Sequence, residues 1–234
     1  MKIKPYTLVH GVSMLMLLII SFVAVHASKT PYFQLLPGDL LFQDLDCGTL
    51  CDGIDKVTYG VRNTYMSHVG IVISTQGAEP QIIEAIGEGV IKTSLSSFLH
   101  RSHDENGYPR VVVGRLANPY KHLIPEAIVA AKGELGKPYN TTFYPNDGES
   151  QYCSQLIYDI FKIANHDKPI FHLQKMDFKI PGTSLIVKEW SEYFKRLHAK
   201  VPQGMLGNNP GMMSREKFIQ IVFWYGQLRQ HRQN

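Results

Sequence analysis

Cysteine and tryptophan are scarce in this chain, at three and two of 234 residues, so neither a disulfide scaffold nor a cysteine-rich zinc module can hold it together. No charge run or basic stripe is present. The 24 basic and 20 acidic residues nearly balance, which removes the electrostatic footprint of a nucleic-acid binder. Internal repeats and low-complexity segments are also missing, which excludes solenoids and disordered arrays. What remains is 44% hydrophobic and 11% aromatic, the composition of one compact globular domain.

Long apolar runs are missing too, with one partial exception near the start. Lys2 and Lys4 precede an apolar stretch over residues 12–25, shorter than the ~20 residues a spanning helix needs. Val25-His26-Ala27 supplies small residues for a signal peptidase. The reading is a signal peptide over 1–27 and a single domain over 28–234, without stable membrane insertion after cleavage, and periplasmic or secreted. No cysteine follows the cleavage point to carry a lipid. In an oxidising compartment thiols tend to pair. Cys47 and Cys51 are close enough to bridge, or are small apolar fillers; Cys153 is left over.

Periodicity then gives a coarse map. Gly38-Asp39 turns into a short strand at 40–43, and a helix is expected over 52–60. Strands follow at 67–74 and 81–86, with a turn at 87–89 and an answering strand at 90–95. A polar loop over 101–109 leads to a strand at 111–115, making about five antiparallel strands. Pro125 opens a helix that Gly136 and Pro138 close. Ser150 is expected to cap a helix with Leu156, Ile157, Ile160, Phe161 and Ala164 on one stripe. Further helices are expected over 184–198 and 214–228.

Cys153 falls in the first turn of its helix, where unpaired N–H groups and the dipole favour a thiolate. Leu156 and Ile157, three and four residues on, put its sulfur on the packed face. Helix position alone equally suits an inert buried thiol. A thiol nucleophile needs a base that can return the proton, and among the ten histidines His68 heads a strand buried on both faces. A lone strand histidine can also be structural. Glu84 interrupts the apolar strand Gln81-Ile82-Ile83-Glu84-Ala85-Ile86, sharing a face with Ile82 and Ile86. There a charge needs a partner, unless that face meets water. His100 and His103, with Asp104 and Glu105, hold donor atoms, but a mixed-charge loop is a weak metal signal; no metal and no cofactor are assigned.

Ser67-His68-Val69-Gly70-Ile71-Val72, a strand glutamate, Gly136-Lys137-Pro138-Tyr139-Asn140 and Tyr152-Cys153-Ser154-Gln155-Leu156-Ile157 together resemble the circularly permuted papain-like amidases. These are of the YiiX-like branch and related to NlpC-type cell-wall peptidases. Gly38-Asp39-Leu40-Leu41-Phe42 and the Gly/Pro segment 202–211 extend the likeness over about 37–210. The resemblance implies an α+β, circularly permuted papain-like fold, with an antiparallel central sheet packed against the helix bearing the cysteine. It also implies Cys153 as nucleophile, His68 as general base and acid, Glu84 as the residue orienting His68, and the backbone N–H of Cys153 as an oxyanion donor. Tyr139 and Tyr152 are taken as substrate-binding. Asn140 stands where many relatives have aspartate, and Gln155 where they often have glutamate.

The implied activity is a cysteine amidase or peptidase acting on a peptidoglycan-derived peptide or a small amino-acyl amide. A lipid acyl hydrolase or acyltransferase on the same fold, and a non-catalytic periplasmic binding module, are the other readings. The sequence does not fix the oligomeric state.

Overall fold

Runs of β-branched residues separated by glycine, proline and polar turns dominate the chain and dictate its sheet. The computed structural model describes residues 32–145 and 148–231, so the leader read at 1–27 lies outside the described residues. The strands are β1 (Leu40–Gln43), β2 (His68–Ser74), β3 (Gln81–Ile86), β4 (Gly89–Ser94), β5 (Val111–Leu116) and, late in the chain, β8 (Ile219–Trp224). They form one six-stranded antiparallel sheet in the order β4-β3-β2-β1-β5-β8. A separate two-stranded ribbon joins β6 (Gln174–Lys175) to β7 (Leu206–Gly207).

Side chains alternate across a strand, and both faces of this sheet are covered. One face carries Val69, Ile71, Ile83 and Val112. It packs on Ala127 and Ala131 of α3 (Ile124–Gly133) and on Leu156, Ile157 and Ile160 of α4 (Cys153–Ala164). The other carries Leu41, Val72, Ile82 and Val113 beneath Phe98 and Leu99 of α2 (Leu95–Leu99). Burial on both sides is why β2 reads as an unbroken apolar run. A third cluster joins α1 (Thr49–Val57) to α5 (Lys188–Arg196) through Phe143, Phe178, Trp190 and Phe194. Within it the Trp190 indole N–H donates to the Gly53 carbonyl at 2.8 Å.

Several expectations are corrected. The segment expected as a helix over 214–228 is strand β8, preceded by the short α6 (Pro210–Ser214). Ile-Gln-Ile-Val-Phe-Trp finds an open edge at β5, and pairing there overrides a helical reading of the same residues. The sheet therefore has six strands rather than five. Helix α1 begins at Thr49 after Gly48 in positive φ, and ends where Thr58 turns extended with its hydroxyl bonded to the Ile54 carbonyl. Tyr152, not Ser150, stands at the start of α4. Gln151 is held extended by its N–H to the Pro138 carbonyl and its carbonyl to the Asn140 N–H, each 3.0 Å. Helix α5 is shorter than 184–198, because 178–187 folds into a turn closed by the Val187 N–H on the Phe178 carbonyl. Cys47 and Cys51 form a disulfide, with Cα atoms 5.2 Å apart, and Cys153 is free.

Candidate functional site

Residues from four places in the sequence meet where β2 begins. Ser67 fixes that point: its N–H donates to the Gln43 carbonyl at 3.1 Å, and its hydroxyl both accepts from the Leu45 N–H at 3.0 Å and donates to the Leu45 carbonyl at 3.1 Å. His68 therefore enters the sheet with its ring already directed. Its Nε2 lies 2.6 Å from Oε2 of Glu84. Glu84 is reached because β3 pairs with β2 in a register that sets Gly70 opposite Glu84, so a residue two before Gly70 shares the carboxylate's face.

The imidazole also interacts with the side chain of Cys153, which favours its charged form. With Nε2 engaged by Glu84, Nδ1 is the nitrogen left for the sulfur. Cys153 opens α4, is 6% exposed, and its Sγ lies 4.0 Å from the Ser67 carbonyl oxygen. First-turn N–H groups have no intrahelical acceptor, and they place the positive end of the helix dipole at this sulfur. The structure thus brings Cys153, His68 and Glu84 together.

Arg101 completes the arrangement and was missed in the sequence. It follows α2, which Ser94 caps by accepting the Ser97 N–H. Its guanidinium grips Glu84 with Nη1 on Oε2 at 2.6 Å and Nη2 on Oε1 at 2.5 Å. It lies over the Phe98 ring at 5.3 Å, and that ring also packs beside His68 at 5.7 Å. The signal for α2 was present as Ser94-Leu95-Ser96-Ser97-Phe98, a cap residue before an apolar run.

The electrostatics follow from this geometry. Burial alone would drive the Glu84 carboxyl up, but Arg101 and then His68 outweigh it and hold the pKa at about 2. Burial likewise drives His68 down, and its interactions with Cys153 and Glu84 more than reverse this, raising its pKa to about 9. The cationic imidazolium is thus retained in a dry setting.

Beside the sulfur a cavity of about 280 Å³ opens between α1, the β6–β7 ribbon and α5, and Tyr139, Tyr152 and Cys153 line it. Burial pushes both tyrosine hydroxyls up, so each presents a neutral O–H. Asn140 and Gln155 meet each other: the Asn140 amide donates to the Gln155 side-chain oxygen at 3.2 Å and to the Tyr144 carbonyl at 2.9 Å. Two carboxylates in these places would repel unless one held a proton. The amide pair removes that conflict. Asp104 is occupied by the backbone N–H groups of Asn106, Tyr108 and Gln227, and no group of three or more potential metal ligands is assembled among the described residues.

A family model described as permuted papain-like amidase enzyme, YaeF/YiiX, C92 family, matches residues 34–221. Among solved structures, the crystal structure of metalloprotein yiiX from Escherichia coli O157:H7 aligns with a TM-score of 0.67 at 21% identity, covering 83% of this chain and all of that one. No curated protein matches the chain.

Proposed function

The chain belongs to the permuted papain-like amidase family and is a cysteine hydrolase, and from that premise we propose that it cleaves an amide bond through Cys153, His68 and Glu84. What supports the reading is one arrangement: the His68 ring is hydrogen-bonded to Glu84 and interacts with the side chain of Cys153, whose sulfur lies beside the carbonyl of the preceding residue, Ser67. That is the connectivity a nucleophile, its base and an orienting acid require.

The Cys153 thiolate attacks the amide carbonyl carbon, and the oxyanion forms at the N-terminus of α4, where the Cys153 N–H is a donor. Imidazolium His68 gives its proton to the departing amine as the C–N bond breaks, leaving a thioester. Water enters, His68 takes its proton, the hydroxide oxygen bonds the thioester carbon, and sulfur leaves. The sum is amide plus water to carboxylic acid plus amine. Glu84 stays ionised throughout and holds the ring's orientation.

The structural relative is titled a metalloprotein, but the described residues here assemble no such ligand group. The reading extends to an exported protein: the leader over 1–27 and the Cys47–Cys51 bridge both fit an oxidising compartment. For substrates, peptidoglycan-derived peptides and amino-acyl amides fit the tyrosine-lined approach. Acyl groups with an apolar chain are favoured by the apolar side of the cavity.

The test is turnover of a panel of cell-wall peptides, amino-acyl amides and acyl amides by the wild type and by Cys153→Ala, together with alkylation of Cys153 by iodoacetamide in wild type and His68→Ala. Turnover lost in Cys153→Ala and alkylation slowed in His68→Ala support the reading. Alkylation no faster than in the denatured chain, with no turnover, leaves a binding module.

A further inference from the structure

Helix α4 starts without the usual device. Tyr152 stands at its N-cap position and makes no side-chain cap bond, where serine, threonine, aspartate or asparagine would accept an N–H of the first turn. Such a cap would occupy a donor beside the point where the oxyanion forms. The start of α4 is therefore held by something other than a cap, and the structure supplies it one residue upstream.

Gln151 is 1% exposed. Its side-chain nitrogen donates to Oε2 of Glu134 at 2.9 Å and to Oδ2 of Asp159 at 3.0 Å. Two carboxylate oxygens can be faced only by the nitrogen of an amide, so the orientation of the group is settled by its neighbours. Its Oε1 is buried and has no partner among the described residues. A buried amide that leaves its acceptor unpaired while spending both donors is kept for those donors.

Glu134 stands at the C-terminal end of α3 and also takes the Lys137 ammonium at 2.7 Å. Asp159 belongs to α4 itself. Burial raises the pKa of its carboxyl, and the bond from Gln151 opposes that rise. The Gln151 side chain thus ties the end of α3 to the middle of α4, while its main chain is paired with Pro138 and Asn140. The preceding residues are pinned on β4, with the Gly136 N–H on the Val90 carbonyl at 2.9 Å and the Val90 N–H on the Lys137 carbonyl at 2.8 Å. Strand β4 pairs with β3 so that Ile91 lies opposite Glu84. Gln151 is the joint through which the part of the sheet holding Glu84 locates the helix holding Cys153.

We propose that Gln151 is a positioning residue: by bridging Glu134 and Asp159 it fixes the direction of the Tyr152–Cys153 peptide, so that the Cys153 N–H is aimed at the oxyanion while the first turn stays uncapped. This rests on the amidase reading and adds a residue to it. A glutamate of the same length would not serve. It brings a third carboxyl group to Glu134 and Asp159, with Lys137 and Lys162 as the cations at hand, and it donates one hydrogen bond when protonated and none when ionised.

The test compares wild type, Gln151→Met and Gln151→Glu in turnover of amino-acyl and acyl coumarin amides, beside alkylation of Cys153 by iodoacetamide, a displacement that forms no oxyanion. Gln151→Met should lower kcat about 10- to 100-fold with KM within about twofold. Its alkylation should stay within about threefold of the wild type, because the sulfur and His68 are untouched. For Gln151→Glu, kcat relative to the wild type should fall as pH rises from about 5 to 8 and the new carboxyl ionises. General destabilisation would give neither the split between turnover and alkylation nor that pH profile.

Wild-type kcat in Gln151→Met, equal losses of kcat and alkylation, or a pH-independent ratio in Gln151→Glu would each overturn the proposal. Should Gln151→Met fail to fold, the ratio in Gln151→Glu decides; failure of both to fold assigns the network to folding and overturns the positioning role. A wild type that cleaves none of these amides removes the amidase reading and this role with it, whereas an active wild type matched by Gln151→Met removes only the role given to Gln151.

Discussion

Arg101 holds both carboxylate oxygens of Glu84, at 2.6 and 2.5 Å, and Glu84 in turn meets His68 Nε2 at 2.6 Å. A carboxylate with no solvent exposure is costly unless paired, and a bidentate guanidinium is the pairing that also fixes its plane. Arg101 is therefore a positioning residue, acting on His68 through Glu84. Arg101→Gln should lower kcat/KM about 10- to 100-fold, which corresponds to the ~1.5–3 kcal/mol of a hydrogen bond to a charged group felt in the transition state. Free guanidinium should restore part of the activity of Arg101→Ala, a recovery that general destabilisation would not give. An Arg101→Gln enzyme with wild-type kcat/KM and pH profile would refute the assignment.

The pH dependence has a definite sign. His68 is raised from 6.5 to about 9 in the folded chain. Below pH 6.5 both folded and unfolded chains carry the proton, and its stabilising effect is complete. Between 6.5 and about 9 only the folded chain retains it, so unfolding free energy should fall as pH rises, by a few kcal/mol in total. Glu84, depressed from 4.5 to about 2, contributes stability that is present above pH 4.5 and lost as pH falls towards 2. Urea unfolding across pH 6 to 10 should show the alkaline decline, and Glu84→Gln should flatten it. An imidazole NMR titration of His68 with a midpoint near 6.5 would contradict the ion-paired state.

How much of this was legible beforehand follows from which forces act locally. Strands β2, β3 and β5 were readable because burial on both faces leaves an apolar run that no other element explains, and α4 because its stripe repeats at helical spacing. Glu84 declared itself by being charged among isoleucines. Arg101 did not, since it sits in a polar stretch where a solvated arginine is the ordinary expectation, and only the β2–β3–β4 register with α2 folded over it brings the guanidinium to Glu84. Strand β8 was misread for a similar reason: its pairing partner, β5, lies about a hundred residues earlier, and no local pattern announces it. The cavity wall needed three distant segments, α1, 174–178 and α5, to be assembled before its apolar character appeared.

Gly70 is the one position in β2 where a side chain would strike the site itself. A methyl there would stand 2.7 Å from the Ile82 Cγ2, 3.1 Å from the Phe98 ring and 3.3 Å from the Glu84 Cβ. All three are buried and at least two must move. Gly70→Ala should therefore destabilise the fold by roughly 1–3 kcal/mol through overpacking. It should also reduce kcat more than the stability loss explains, because Glu84 is displaced from His68. The check is kcat and urea unfolding measured on the same preparation. Unchanged kcat in a folded Gly70→Ala protein would show that the Glu84 position has slack.

The Cys47–Cys51 bridge constrains α1, which contributes Ile54 and Val57 to the cavity, with Thr58 just beyond its end. It closes so short a loop that chain entropy allows it only about 2 kcal/mol. Its larger consequence is local, because it fixes the entry to α1 after Gly48, where the helix has no side-chain cap. Cys47→Ser with Cys51→Ser should leave a folded protein, less stable by no more than ~2 kcal/mol, in which KM for cavity-filling substrates rises while kcat is largely retained. Thiol counting supplies the control: the native chain should titrate one thiol, Cys153, only after denaturation or with a small electrophile, and reduction of the unfolded chain should reveal all three cysteines. If the double variant instead loses kcat and keeps KM, α1 influences the sulfur rather than the cavity, and the division of labour between the two sides of the site is wrong.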